Sequence, residues 1–396
     1  MTVAEAMNEV GADLSNWRTS PVNRWSFRNV QELIPCAEIA GAPDNPQPLP
    51  SETQSFSNFS LKAEDGTALS LRDVLKATNT DGFLVLHQGQ IVYQFHDNGM
   101  TAQTPHILMS ASKSIVGLVV GILASQGKID AEAEVAHYVP EIAKGPYRGA
   151  TVRHLLDMRT GIVLDAKQQR AYDLATHWFP VEAGEERGDF HSFFTSLAAS
   201  SGARPHGGPF NYVSANTDLL GWVIERASGQ PFAEVASALL WKPLGAQQSA
   251  LITVDSKGAP RTTGGICATL RDFARFGQLV ARGGRRGSKQ ILPEAWLDDM
   301  AENGDREAWN KGAWTQGSYA GLDMHYRSGW CVFNEAPKML HATGIHGQNL
   351  YVDRTNDIVV AKVSSWADPS DYPRARLVQR AVAEIRRCLL EGRPQA

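Results

Sequence analysis

A serine and a lysine stand three residues apart in front of one of the most apolar stretches of this 396-residue chain. Ser110 and Lys113 precede the run Ile115–Ala124, which contains only apolar residues and glycine. On a helix, this spacing places both side chains on one face. An apolar helix behind Lys113 would disfavour its charged form, because burial stabilises the neutral amine. A neutral lysine beside a serine hydroxyl is a general base next to a nucleophile.

The same spacing occurs a second time, at Ser125 and Lys128. That pair lies at the C-terminal end of a buried helix predicted over residues 108–126, where Gly127 is a suitable C-cap. The helix dipole there favours a cation and opposes a developing negative charge, so we interpret the pair as structural. Ser110 lies at the opposite end, where backbone N–H groups favour negative charge. The spacing alone leaves a structural role for Ser110 and Lys113 open.

The elements that would position this pair follow from the hydrophobic pattern. We predict a hairpin over 81–99 that turns at Gln88-Gly89, helices over 217–229 and 269–284, short strands over 326–333, 349–353 and 357–365, and a last helix over 372–390. Strands and helices do not alternate regularly, which disfavours a doubly wound parallel sheet. The predicted class is α/β of the α+β type, with an antiparallel sheet flanked by helices plus an all-helical lobe.

The chain is longer than a single core usually organises, so two lobes are predicted. Residues 1–105 and 285–396 would form the α/β lobe with the antiparallel sheet, and residues 1–60 would be an N-terminal extension of it. Residues 106–284 would form the mainly helical lobe that carries Ser110 and Lys113.

Composition excludes several classes of function. The formal net charge is −4 and no sustained basic block is present, so no nucleic-acid partner is expected. The run Ile115–Ala124 is too short to span a bilayer, and no membrane association is expected. Four cysteines without CxxC spacing, and an N-terminus without an apolar signal region, predict a cytoplasmic protein. No metal or cofactor motif is present, so a small-molecule substrate is expected, and a homodimer stays open.

Four segments in order carry a family resemblance. They are LMSASKSIVG (108–117), VRHLLDMRTGI (152–162), FNYVSANTDLLGWVIERASG (210–229) and GGICATLRDFARFGQLV (264–280). Together they resemble the serine hydrolases of the β-lactamase and penicillin-binding-protein fold, most strongly the class C-like esterase and amidase branch. The segments NRWSF (23–27) and GIHGQNLYVD (344–353) narrow the resemblance to an amidase subgroup.

The resemblance implies roles for particular residues. Ser110 would be the nucleophile, and Lys113 and Tyr212 would share its proton. Tyr212 would be a phenol of depressed pKa that protonates the leaving group. Ser214, two residues after Tyr212, would complete their hydrogen-bond network. The backbone N–H groups of Ser110 and Ile345 would form the oxyanion hole.

A third motif of the family matches only in part. The positions that match its Lys-Thr-Gly or His-Thr-Gly box are Ala342, Thr343 and Gly344, so the basic residue is missing. Since that residue helps the β-lactamases to bind a substrate carboxylate, β-lactam binding is doubtful. Gly344 is expected at the substrate, Tyr172 and Thr263 are candidate substrate-binding residues, and His346 is expected to be structural.

These observations predict a serine hydrolase that cleaves amide or ester bonds through an acyl-enzyme, without metal or cofactor. A β-lactamase-like esterase or a D-amino-acid peptidase is the alternative within enzymes. The alternative from another class is a ligand sensor that is acylated on Ser110 and does not turn over.

Overall fold

The computed structural model describes residues 11–63, 66–317 and 319–391. It has the predicted α+β fold, with an antiparallel sheet flanked by helices. In chain order the strands are β1 (Cys36–Ile39), β2 (Leu61–Lys62), β3 (Ala68–Leu69), β4 (Thr80–His87), β5 (Gln90–His96), β6 (Pro105–Ile107), β7 (Ala250–Thr253), β8 (Ile266–Thr269), β9 (Arg285–Arg286), β10 (Lys289–Gln290), β11 (Met324–Arg327), β12 (Trp330–Phe333), β13 (Met339–Gly344), β14 (Gln348–Asp353) and β15 (Ile358–Ser364).

The α-helices are α1 (Asn23–Ser26), α2 (Leu71–Ala77), α3 (Ser112–Ser125), α4 (Val135–Tyr138), α5 (Val152–Leu156), α6 (Ala166–Ala175), α7 (Phe190–Ser196), α8 (Ser214–Ser228), α9 (Phe232–Ala236), α10 (Lys242–Leu244), α11 (Leu270–Ala281), α12 (Glu294–Glu302), α13 (Arg306–Asn310) and α14 (Tyr372–Leu390). Short 3-10 turns occur at Val30–Glu32, Met109–Ala111, Pro140–Ile142, Ala313–Gln316 and Ile345–Gly347, and a π-helical turn at Ser237–Trp241.

The large sheet joins strands from both ends of the chain. Its order is β11-β12-β13-β14-β15-β4-β5, and every neighbouring pair is antiparallel. Val360 of β15 pairs with Val85 of β4, so the predicted hairpin lies directly beside the C-terminal strands. The antiparallel sheet predicted from the strand order is therefore present.

Alternating residues of β4 enter two different cores, as the two-residue period of a strand requires. Leu84 and Leu86 belong to the main core, which also contains the apolar residues of α11 and α3. Phe83 and Val85 belong to a second core beneath α14 and α2. The sheet is thus covered on both faces, which explains why β4 is apolar along most of its length.

A small second sheet lies beside the start of α3. Its order is β1-β7-β8-β6, and all of its pairs are antiparallel. Each of these strands has only three or four residues. The sequence analysis did not predict them, because segments this short show no reliable periodicity.

Helix α3 is buried from Ser112 to Leu123, and it contains two glycines. A Cβ atom at Gly117 would lie 2.0 Å from the carbonyl oxygen of Ser328, in the turn between β11 and β12. A glycine inside a helix costs about 0.5–1 kcal/mol relative to alanine. Because Gly117 has no side chain, the β11–β12 turn can pack directly on the helix that follows Ser110.

Most predicted elements are found, with shifts at their ends. The segment predicted as one strand over 326–333 is a hairpin of β11 and β12, because Ser328 and Gly329 adopt positive φ and turn the chain. The helix predicted over 217–229 begins three residues earlier, at Ser214, and ends at Gly229 with a φ of 72°. Helix α14 has the predicted bounds.

The division into two lobes stays a prediction. Helix α11, which was assigned to the helical lobe, packs across the large sheet. Among the described residues, no helix combines the length and the apolar character that crossing a bilayer requires.

Candidate active site

Ser110 occupies a tight turn between β6 and α3. The turn Met109–Ala111 is separated from β6 by Leu108 alone, and Met109 has a φ of +48°, which is unusual for a residue with a side chain. The N–H of Leu108 bonds to the carbonyl oxygen of Ile266 at 2.8 Å and fixes the turn to the small sheet. Ser110 is thereby held at the N-terminal end of a 14-residue helix, where the helix dipole stabilises negative charge.

Lys113 lies one turn further along and reaches back to Ser110. Its Nζ atom is 2.9 Å from Ser110 Oγ, and it donates to the carbonyl oxygen of Thr263, also at 2.9 Å. The side chain is almost completely buried, with 2 % of Lys113 exposed. The predicted pairing of Ser110 with Lys113 on one face is therefore present.

Burial lowers the pKa of Lys113 well below its usual value, because an ammonium loses its hydration there. The nearby Arg261 guanidinium lowers this pKa further, and the Asp218 carboxylate opposes the effect. Since Arg261 and Asp218 form an ion pair, their effects largely offset each other and desolvation dominates. The neutral amine predicted from the sequence agrees with this environment.

Tyr212 covers the Ser110–Lys113 pair from the other side. Its ring centroid is 4.7 Å from Lys113 Nζ, and its hydroxyl is close enough to Ser110 for that residue to lower the pKa of the phenol in part. The ring of Trp314 packs on it at 4.4 Å, and Phe210 lies at 6.3 Å. The three residues that the sequence analysis named as catalytic therefore meet at one point.

One expectation about Tyr212 is wrong. The family resemblance predicts a depressed pKa for Tyr212, whereas burial raises the pKa of this phenol. Its neighbours explain the difference, since Lys113 has a lowered pKa and the charge of Arg261 is compensated by Asp218. Desolvation therefore outweighs the nearby charges at Tyr212, and the phenol stays protonated.

The end of β13 approaches the turn at Ser110 so closely that only glycine fits. A Cβ atom at Gly344 would lie 2.6 Å from the carbonyl oxygen of Leu108 and 3.0 Å from the backbone nitrogen of Ser110. Ile345 follows Gly344 directly and lines the same space as Ser110. This contact brings the two predicted oxyanion-hole residues together, and their role as N–H donors stays a prediction.

His346 holds the segment after Ile345 in place. The φ of His346 is +60°, and its Nδ1 atom lies 2.8 Å from the carbonyl oxygen of Trp366. Its backbone N–H donates to the carbonyl oxygen of Pro369 at 2.9 Å. Burial lowers the pKa of His346 to about 4, so the imidazole stays neutral. These contacts agree with the structural role expected for it.

A buried polar network that the sequence analysis missed supports Lys113. Asp218 accepts hydrogen bonds from the backbone N–H of Thr263 at 2.9 Å and from the Tyr172 hydroxyl at 2.5 Å, and it pairs with Arg261. Thr263 in turn offers its carbonyl oxygen to Lys113. The network thus orients the group that holds the lysine.

The remaining predicted residues lie at the same site, where the structure shows their contacts within the protein. Ser214 begins α8, and its carbonyl oxygen accepts a hydrogen bond from the Thr263 hydroxyl. Tyr172 lies 2 % exposed, with its hydroxyl bonded to Asp218 and Arg261. Contacts of Ser214, Tyr172, Thr263 and Gly344 with a substrate stay predictions.

The structure shows where the basic residue of the third box is missing. Ala342 lies in the middle of β13, where it pairs with Leu350 and belongs to the main apolar core. Thr343, the next residue, faces the space beside Ser110. No cation therefore comes from this position of β13.

Two clefts meet at Ser110. The larger, of about 410 Å³, is named here the Arg18 cleft; its charged lining residues are Arg18, Asp173 and Arg261. The smaller, of about 190 Å³, is named the Trp314 cleft; it is lined by aromatic residues, and Asp371 is its charged residue. Ser110, Tyr212 and Ile345 border both clefts. A substrate bound across Ser110 would extend into both.

In the part of the chain that the structure describes, no group of three or more His, Cys, Asp or Glu side chains is arranged to hold a metal ion.

A serine and a buried lysine at the start of an apolar helix, beside the end of an antiparallel strand, define a site of the serine β-lactamase type. The family model described as Beta-lactamase matches residues 71–384. The chain belongs to the Beta-lactamase family and is a hydrolase.

Within that family, the chain is 35% identical over 369 residues to the 6-aminohexanoate-dimer hydrolase of Paenarthrobacter ureafaciens, across 90% of this chain and 88% of the relative. A solved structure from Bacillus anthracis, assigned as a 6-aminohexanoate-dimer hydrolase, superposes with a TM-score of 0.87 at 26% identity, covering 98% of this chain and 99% of that one. The esterase EstB of Burkholderia gladioli is 30% identical over 165 residues, 39% of this chain and 41% of EstB. The resemblance predicted from the sequence, including the amidase subgroup, is confirmed.

Proposed function

We propose that this protein hydrolyses amide or ester bonds of small molecules through an acyl-enzyme formed on Ser110. The observation that carries the proposal is the 2.9 Å distance between Lys113 Nζ and Ser110 Oγ in a buried site. A neutral Lys113 has a lone pair on Nζ that can accept the hydroxyl proton of Ser110. One of its N–H groups donates to the carbonyl oxygen of Thr263 and so holds the amine in place.

In the first step, Ser110 Oγ attacks the substrate carbonyl carbon and its proton passes to Lys113. The carbonyl oxygen becomes an oxyanion, which the N–H groups of Ser110 and Ile345 would stabilise. One such donor contributes on the order of 10² to 10³ in rate. The helix dipole of α3 adds to this stabilisation.

In the second step, the tetrahedral intermediate collapses and the bond to the leaving group breaks. Tyr212 gives its proton to the departing nitrogen or oxygen, and Lys113 returns a proton to Tyr212. The raised pKa of Tyr212 supports this assignment, because a group that stays protonated at neutral pH can act as a general acid. Water then attacks the acyl-enzyme, and the same groups act in reverse.

The similarity to a 6-aminohexanoate-dimer hydrolase supports linear amides as substrates, and the similarity to EstB supports esters. Esters have better leaving groups, so short acyl esters should react fastest and linear amides more slowly. β-Lactams should be poorest, because Ala342 leaves β13 without the cation that binds their carboxylate.

A panel of p-nitrophenyl esters, linear amides and nitrocefin, given to one preparation, tests the proposal. Ser110→Ala should abolish turnover, whereas Ser125→Ala removes the exposed serine of the second Ser-x-x-Lys spacing and should leave it unchanged. Nitrocefin hydrolysis comparable with the best ester would favour a β-lactamase. Stoichiometric acylation of Ser110 without turnover would favour a ligand sensor.

The proposed partners are small-molecule esters or amides, with neither nucleic acid nor membrane, and the proposed location is the cytoplasm. Size-exclusion chromatography would test whether a homodimer forms.

A further inference from the structure

Arg18 is an arginine of the N-terminal segment that lies in the cleft beside Ser110. It is half-buried and follows Trp17, which packs in one apolar cluster with Met109, the residue before Ser110. The N-terminal segment is therefore fixed to the turn that carries the nucleophile, and it holds the guanidinium at a defined place in the site.

Three aromatic rings surround the Arg18 guanidinium. Its central carbon lies 4.4 Å from the ring centroid of Phe179, 5.6 Å from Trp17 and 5.8 Å from Trp178. The Trp17 indole N–H donates to the carbonyl oxygen of Trp178 at 2.9 Å, so these rings are themselves fixed. Stacking of this kind orients the plane of a guanidinium and leaves its N–H edge available for hydrogen bonds.

No ion-pair or hydrogen-bond partner of the Arg18 side chain occurs among the residues that the structure describes. The charged groups that face it are Arg261 and Asp173. Arg261 is already paired with Asp218. Asp173 accepts a hydrogen bond from the Gln169 amide at 2.8 Å. Arg18 is thus a cation in the Arg18 cleft that none of the described residues neutralises by direct pairing.

Among the described residues that line the Trp314 cleft, none is a comparable cation. Its charged lining residue is Asp371, which pairs with Arg374. Of the two clefts that meet at Ser110, the Arg18 cleft is therefore the one whose described lining provides a cation for an anionic end of a substrate.

We propose that Arg18 binds a carboxylate of the substrate, so that the enzyme prefers linear esters and amides with a carboxylate at the end that occupies the Arg18 cleft. This inference rests on the proposed function. A guanidinium can donate two parallel N–H bonds to the two oxygens of a carboxylate, which gives both affinity and orientation. The cation comes from the N-terminal segment rather than from β13, where Ala342 stands.

The test compares esters that differ in one charge. One pair places the carboxylate on the acyl part, p-nitrophenyl hemiglutarate against p-nitrophenyl valerate. The other places it on the leaving group, para-acetoxybenzoate against phenyl acetate. In each pair, the ratio of kcat/KM for the anionic ester to that for the neutral ester is measured in the wild type and in variants.

Arg18→Gln should lower this ratio in at least one pair by about ten- to a hundredfold, as expected for the loss of a charge-assisted hydrogen bond, mainly through KM. Arg18→Lys keeps the charge but not the planar fork, so its ratio should be intermediate. Asp173→Asn removes a negative charge near Arg18 that would repel a substrate carboxylate, so it should raise the ratio. Arg72→Gln is the matched control, since Arg72 is an exposed arginine stacked 6.0 Å from the Phe95 ring centroid, outside both clefts, and the ratio should not change.

The dependence of this ratio on salt concentration is a second measurement. If Arg18 had only a structural role, replacing it would not change that dependence. The screening length falls from ~30 Å at 0.01 M to ~3 Å at 1 M ionic strength, so the wild-type ratio should fall with salt, and that of Arg18→Gln should not. Equal ratios in the wild type and in Arg18→Gln for both pairs would overturn the proposal. If the wild type cleaves no ester at all, the proposed function fails; if it cleaves neutral esters with unchanged ratios, only the role of Arg18 fails.

Discussion

The Nζ atom of Lys113 lies 2.9 Å from the carbonyl oxygen of Thr263, the same distance that separates it from Ser110 Oγ. One contact holds the amine, and the other directs it to the nucleophile. Since the Thr263 N–H is in turn bonded to Asp218, the position of the base depends on a buried carboxylate outside its own helix.

The rate of acylation should depend on the protonation of Lys113. Burial lowers the pKa of Lys113, so the neutral base persists below the unperturbed lysine value of about 10.4 and is lost as the pH falls through the lowered pKa. kcat/KM for an ester should therefore fall on the acid side. The apparent pKa belongs to the coupled Ser110, Lys113 and Tyr212 group.

Lys113→Arg keeps a positive charge that cannot be given up in this range. Acylation should then fall by several orders of magnitude at every pH tested, as measured by stopped-flow or steady-state kcat/KM. If Lys113→Arg retains near-normal kcat/KM, lysine acts as a fixed charge and the general-base role is wrong.

Asp218→Asn should move the pH profile in a defined direction. The Asp218 carboxylate raises the pKa of Lys113, so its removal should shift the acid limb of kcat/KM to lower pH. The substitution also leaves Arg261 as an unpaired buried charge, and losing one partner of a buried pair typically costs ~3–5 kcal/mol in the free energy of unfolding. Urea denaturation measures the second effect.

Tyr172→Phe is the matched control for Asp218→Asn, because it removes a hydrogen bond to Asp218 without changing the charge. Its acid limb should stay close to that of the wild type. A shift of the Asp218→Asn profile to higher pH would contradict the electrostatic account.

Gly344→Ala should impair catalysis by separating the two halves of the oxyanion hole. The added Cβ atom would lie 2.6 Å from the carbonyl oxygen of Leu108, so β13 must move away from Ser110. We expect kcat to fall by about 10² or more, the effect of losing one oxyanion donor. Gly188→Ala is the control, since its Cβ atom would have no contact closer than 3.8 Å. Wild-type kcat in Gly344→Ala would contradict the assignment of this contact.

Lys362 should link stability to pH. It is completely buried in β15 beside Ser364 and Gly347, and burial lowers its pKa to about 7. Between pH 7 and the unfolded value of about 10.4 the unfolded chain binds more protons than the folded one, so stability rises with pH there. Below pH 7 both states bind the proton and the dependence disappears.

The test compares the wild type with Lys362→Met by denaturant titration across that range. The free energy of unfolding of the wild type, relative to the variant, should increase with pH by up to ~1.4 kcal/mol per unit. A difference that is constant or falls with pH would show that Lys362 keeps its proton in the folded state.

Elements that depend on local signals could be predicted from the sequence. The hairpin at Gln88 and Gly89 and the helix ending at Gly229 follow from residues that adopt positive φ. The bounds of α14 follow from its periodicity and from the N-cap Asp371. The catalytic group could be located because Ser110 and Lys113 are one helical turn apart.

The rest depends on contacts between distant parts of the chain. Arg261 and Asp218 are 43 residues apart, and only the packing of α8 against the loop before β8 brings them together. The raised pKa of Tyr212 could not be predicted for the same reason, because its main cause is burial by residues distant in the sequence, such as Trp314. No motif in the sequence marks Arg18, because its significance lies in its place beside Ser110 and in the absence of a partner among the described residues.

The most direct test of the account is covalent labelling with a fluorophosphonate, followed by peptide mapping by mass spectrometry. The account predicts one adduct per chain, on Ser110, with loss of esterase activity in proportion to labelling. Ser110→Ala should take up no label while keeping a melting temperature near that of the wild type. An adduct on another residue, or esterase activity that survives in Ser110→Ala, would contradict the assignment of Ser110 as the nucleophile.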